Sequence, residues 1–166
     1  MRRMPGILSP LLVVLSLTGG FLVVGDALAG NGEKEVEQGR EMIREGRLEI
    51  VRSELPLSEQ EATEFWPKYA EYREEVDSIQ DRYSDLVTEY VGRYENADLT
   101  DDYADDLIDS WFDIKRELLD VQEIYISEFR KILPALKVAR LFQLENKINA
   151  EIDAQLAVVI PLIDPS

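Results

Sequence analysis

An all-α fold is predicted, and three observations predict it. Apolar residues recur three or four positions apart over three long stretches, residues 58–94, 104–132 and 135–156, the spacing that lines one face of a 3.6-residue helix. Two of these stretches are preceded by helix-start signals, Leu57-Ser58-Glu59-Gln60-Glu61 and Leu99-Thr100. No stretch alternates apolar and polar residues over any length, so no sheet is expected. The architecture this predicts is an elongated antiparallel helical hairpin with a third, C-terminal helix packed back on it, coiled-coil-like in its spacing.

The first thirty residues stand apart. Arg2 and Arg3 form a basic start, Ile7 to Val24 carries no charge, and Ala27-Leu28-Ala29 places small residues where a signal peptidase reads. Residues 1–29 are expected to be a signal peptide cut before Gly30. An uncleaved anchor is the alternative, because the apolar run is close to spanning length. Export, with a periplasmic location, follows from this reading. Residues 30–54 are charged, contain Gly39 and Gly46, and carry a weak helical pattern through Val36, Met42, Ile43, Leu48, Ile50 and Val51. A mobile start followed by a short helical arm is expected there.

The helical domain is expected over residues 55–166. Pro56 disfavours helix at Leu55. Ser58 and Glu61 then have the form of a capping box, with Leu57 able to staple against Ala62. The stripe that follows runs through Phe65, Trp66, Tyr69, Tyr72, Val76, Ile79, Tyr83, Leu86, Tyr90 and Tyr94. At 1.5 Å per residue that helix would span roughly 55 Å. Pro67 removes one backbone donor and predicts a local bend. Glu95 to Asp98 is a short polar connection, which makes the next helix an antiparallel neighbour. Thr100 caps it, and its stripe includes Leu107, Ile108, Trp111, Phe112, Ile114, Leu118, Leu119, Val121, Tyr125, Phe129 and Ile132. Leu133-Pro134 ends it. The third helix starts near Ala135, and Val158 to Ile163 is an apolar tail expected to pack under the bundle.

Charge and composition exclude several function classes. The chain has a formal net charge of −16, and losing Arg2, Arg3 and Asp26 with the leader would leave it one unit more acidic. Phosphate backbones and anionic lipid would repel it, so neither nucleic acid nor membrane is an expected partner of the mature chain. With no cysteine there is no disulfide, thiol chemistry or thiolate metal site, and with no histidine the common general base is missing too. Asp101, Asp102, Asp105, Asp106 and Asp109 could offer oxygens to Ca²⁺ or Mg²⁺, but acids gather at helix N-termini because the dipole favours them there, and no glycine-turned calcium loop accompanies them. The sequence therefore predicts no metal, no cofactor and no catalytic residue.

At LPLSEQEATEFWPKY (55–69), LTDDY (99–103) and ILPALKVARLFQLENK (132–147) the chain resembles the Spy/CpxP-like superfamily of periplasmic helical stress proteins. Its members are exported, bear paired Leu-Thr-x-x-Gln motifs at helix starts, and form helical hairpins that dimerise into a curved cradle. Here the first motif carries its glutamine one place early, at Gln60, and the second has Tyr103 in that position. The resemblance implies a chaperone-like or envelope-stress-sensing protein. The family's chaperones present a basic cradle, whereas this chain is acidic, so its recognition would be apolar or directed at basic partners.

The remaining signal is aromatic. Phe65, Trp66 and Tyr69 on one helix, and Trp111 and Phe112 on the next, form pairs too wide for one contact face. These five are the expected partner-binding residues; a homodimer is the expected use of that surface, with an unfolded or envelope protein as the further candidate partner. The expected function is non-enzymatic and chaperone-like or stress-sensing. The alternative is a structural or regulatory module that binds one dedicated envelope partner.

Overall fold

The computed structural model describes residues 32–164, with side chains from residue 37 onward. The expected signal peptide, residues 1–29, lies outside the described residues. The described chain is all-α. It comprises α1 (Gly32–Glu54), α2 (Glu59–Glu95), α3 (Asp101–Ile132) and α4 (Ala135–Val159), with no strand among the described residues. It divides into two compact units between Pro56 and Leu57.

In the first unit, the helical arm expected to be short is one continuous helix of 23 residues. Gly39 and Gly46 each cost it about 1 kcal/mol of propensity. Ion pairs one or two turns apart act in the other direction, Arg40 and Arg44 with Glu37 and Arg44 with Glu41. The buried residues of this unit, Arg47, Ile50, Val51 and Leu55, lie at its C-terminal end.

The second unit holds α2, α3 and α4. Ser58 starts α2 with a complete capping box: its hydroxyl accepts from the Glu61 amide at 3.3 Å, and its own amide donates to the Glu61 carboxylate at 2.7 Å. The helix then runs through Pro67 without a break. It ends in a Schellman turn. The Asp98 amide bonds back to the Arg93 carbonyl and the Ala97 amide to that of Tyr94, with Ala97 at φ 53°. A left-handed alanine is strained where glycine would not be. Ala97→Gly should therefore raise stability by roughly 0.5–1 kcal/mol, read as a higher urea midpoint at unchanged slope.

Contacts fix the direction of each helix. Tyr103 meets Arg93 near the turn, Glu117 meets Arg82, Tyr125 lies 5.3 Å from Tyr72 with the rings tilted, and Phe129 lies 5.4 Å from Phe65. As α3 advances its partners recede along α2, so the two are antiparallel. Leu133, extended at φ −120° as a residue before proline must be, ends α3 and reverses the chain within two residues. Helix α4 then runs parallel to α2, with Lys137 on Glu61, Glu145 on Tyr69, and Pro161 under Tyr90. The unit is an up-down-up bundle of three helices.

Its core is aromatic at one end and mostly aliphatic beyond it, with Tyr90 buried near the far end of α2. Phe65, Tyr69, Tyr72, Tyr125 and Phe129 are buried together, and Phe142 of α4 lies 6.0 Å from Tyr72 and 6.2 Å from Phe129. Val76, Ile79, Val121, Leu141, Leu144 and Ile148 continue it. The apolar tail departs from expectation. Val158, in the last turn of α4, and Leu162, beyond it, are almost fully exposed rather than tucked under the bundle, while Ile160 and Pro161 between them are half-buried. The Tyr90 hydroxyl, donating to the Pro161 carbonyl at 2.7 Å, ties the tail down.

Candidate functional site

Two features of the bundle are candidates for function: a buried polar network and an exposed apolar flank. The network centres on Glu145, a carboxylate with 1 % of its surface exposed. It stands on the core face of α4, four residues after Leu141 and three before Ile148. The Tyr69 hydroxyl donates to one of its oxygens at 2.6 Å, and Arg73 donates to the other at 3.1 Å. Arg73 also pairs with Asp77 and donates to Gln80 at 3.1 Å. Burial alone would push the Arg73 pKa down, but Glu145 and Asp77 beside it reverse that and hold it raised. These groups satisfy one another, with Glu145 fully buried and Arg73 and Asp77 mostly so. The network is a polar clasp between α2 and α4.

A second clasp lies at the N-terminal end of α4. Lys137 donates to Glu61 at 2.6 Å while the Ser58 amide donates to the same oxygen. The lysine hydrogen bond, then the bonds with Ser58, lower the Glu61 pKa from its usual 4.5 to about 2. Glu128, bonded to Lys131, is lowered in the same direction. A carboxylate depressed in the folded state stabilises that state fully above its unfolded pKa and ceases to do so as pH falls through its folded pKa. Stability should therefore decline between about pH 4.5 and about pH 2. Glu61→Gln should flatten the decline when melting temperature is followed against pH; an unchanged slope would show that the Lys137 contact does not form.

The apolar flank belongs to α3. One face of that helix, through Ile114, Val121, Tyr125 and Phe129, is buried. A neighbouring face is not: Ile108 is 54 % exposed, Phe112 49 % and Leu119 55 %. With half-buried Ile126 they are spaced four, seven and seven residues apart, which sets them in one line. Trp111 stands between the two faces. Its ring packs edge-on against Phe112 with centroids 4.7 Å apart. Lys115 lies over the Tyr83 and Trp111 rings, at 5.1 and 5.6 Å, so its charge turns back toward its own bundle.

The five expected partner-binding residues separate on this geometry. Trp111 and Phe112 are on the surface, adjoining the exposed line. Phe65 and Tyr69 are buried, where α4 and Phe129 cover them, and no partner can reach them. Trp66 is half-buried against both rings. Ile108 and Leu119 were not among the expected residues, although their spacing with Phe112 marks a second stripe. Among the described residues no three acidic side chains converge to hold a metal ion, and no helix is long and apolar enough to cross a membrane.

Comparison of the chain with models of protein families, with curated proteins and with solved structures finds no match in any of the three. The resemblance to the Spy/CpxP-like superfamily gains no support from them and rests on the sequence pattern alone.

Proposed function

We propose that this is an exported, non-enzymatic helical protein, chaperone-like or stress-sensing, that binds partner proteins through the exposed flank of α3. One observation carries the reading. The core of the bundle is complete, with buried residues on all three helices, yet Ile108, Phe112 and Leu119 remain half exposed in a line beside Trp111. Scattered exposed apolar residues are ordinary, whereas several large ones aligned on one helix face mark an interaction surface. The chemistry of the chain agrees with a binding role, since neither histidine nor cysteine is available for catalysis. The regular spacing of the line also favours the second reading, a regulatory module with one dedicated helical partner.

Suppression of aggregation separates the two. The full chain is mixed with a chemically unfolded client protein and light scattering is followed, for wild type and for the double variant Phe112→Ser/Leu119→Ser. A chaperone-like protein suppresses scattering, and the double variant loses most of that effect. A wild-type protein that leaves scattering unchanged supports the dedicated-partner reading. Suppression that the double variant retains in full would remove α3 from either role.

A further inference from the structure

The partner that the α3 flank takes is identified by the charges around it; this rests on the binding role proposed above and specifies its chemistry. Six acids, Asp101, Asp102, Asp105, Asp106, Asp109 and Asp113, precede the first base of α3, which is Lys115. Asp105 and Asp109 fall one turn from Ile108 and Phe112, on the solvent side of the line. Lys115 is withdrawn over the aromatic rings, and Arg116 is paired with Asp113. The N-terminal half of the flank is thus apolar residues edged with carboxylates that meet no free base of their own helix. From Lys115 onward the helix carries four acids and four bases. A second copy laid along this flank in parallel would set six acids against six. Laid antiparallel, it would set them against a half with no net charge. Neither arrangement offers the acids a counter-charge, and the chain as a whole repels its own kind at −16.

We propose that the α3 flank is a docking site for a cationic amphipathic helix, whose apolar face covers Ile108, Phe112, Leu119 and Ile126 and whose Lys or Arg residues lie along Asp105 and Asp109. Apolar contact supplies the affinity. The charges supply the choice of partner and its direction, with the basic end of the guest toward the start of α3.

The test is a fluorescence-anisotropy titration of the full chain with labelled helical peptides of about 18 residues, long enough to span the line. One peptide has a leucine face and a lysine face. A second has glutamate in place of lysine. A third keeps the lysines but scrambles the leucines so that no apolar face forms. The first should bind, the other two at least roughly tenfold more weakly, and Phe112→Ser/Leu119→Ser should cost the first a similar factor. Asp105→Asn/Asp109→Asn should weaken it as well, and raising salt from about 0.05 M to about 0.5 M should reduce the difference between lysine and glutamate peptides. Equal binding of the glutamate peptide, equal binding of the scrambled one, or indifference to the α3 substitutions would each overturn the proposal. So would a dimer in sedimentation that Phe112→Ser/Leu119→Ser dissolves, since a second copy would then be the occupant. Aggregation suppression without preference for the lysine peptide would leave the binding role standing and this specification of it refuted.

Discussion

Glu145→Leu is expected to destabilise the bundle by about 3–5 kcal/mol, the cost typical of breaking a buried charge pair from one side. Leucine fills much of the space, so the loss is electrostatic rather than a cavity. Arg73 keeps Asp77 and Gln80 but loses the partner that bound it to α4, and the Tyr69 hydroxyl is left facing an apolar side chain. Replacing the clasp as a unit, by Tyr69→Phe, Arg73→Met and Glu145→Leu together, should restore most of the stability, because well-packed apolar residues often match or exceed a buried ion pair. Urea denaturation of the single and triple variants checks both halves. A mild single variant would mean that water reaches Glu145. A triple variant no better than the single would mean that the clasp contributes net stability of its own.

Phe129→Ala should cost about as much, roughly 3–5 kcal/mol, for a different reason. Phe129 is fully buried and its ring lies within 5.4 to 6.2 Å of Phe65, Tyr72, Tyr125 and Phe142. Those four rings come from all three helices, so none can collapse into the vacancy without pulling its own helix from another contact. Phe112→Ala removes the same side chain from a half-exposed position and should change stability by no more than about 0.5 kcal/mol. Thermal melts of the two variants make the comparison directly. Similar shifts for both would show that Phe112 is packed and not waiting for a partner.

Local features of this fold were legible in the sequence, and non-local ones were not. The Ser58–Glu61 capping box and the Thr100 cap, which accepts from the Tyr103 amide at 3.2 Å, need only neighbouring residues. The helix boundaries at Pro56 and Pro134 follow from proline geometry within one or two positions. The clasp joins Glu145 to residues 72 and 76 positions away. Its only trace is a glutamate at apolar spacing between Leu141 and Ile148, and an acid there reads equally well as the edge of a stripe. Phe65-Trp66 and Trp111-Phe112 are equivalent pairs in the sequence. They differ because α4 lies over the first half of α2, through Phe142 and Glu145, and leaves the outer flank of α3 uncovered. Spacing states that a face is apolar; it does not state which neighbour covers it. The length of the helix Gly32–Glu54 was not legible for the opposite reason, since two glycines weaken its propensity while ion pairs one or two turns apart support it.

Hydrogen exchange of the full chain, alone and saturated with an unfolded client whose binding is verified independently, tests most directly whether the outer flank of α3 is where partners sit. Exchange should slow in peptides covering residues 105–126, while those covering residues 141–148 of α4, already protected in the core, stay unchanged. Protection that appears elsewhere with residues 105–126 unaffected would contradict it.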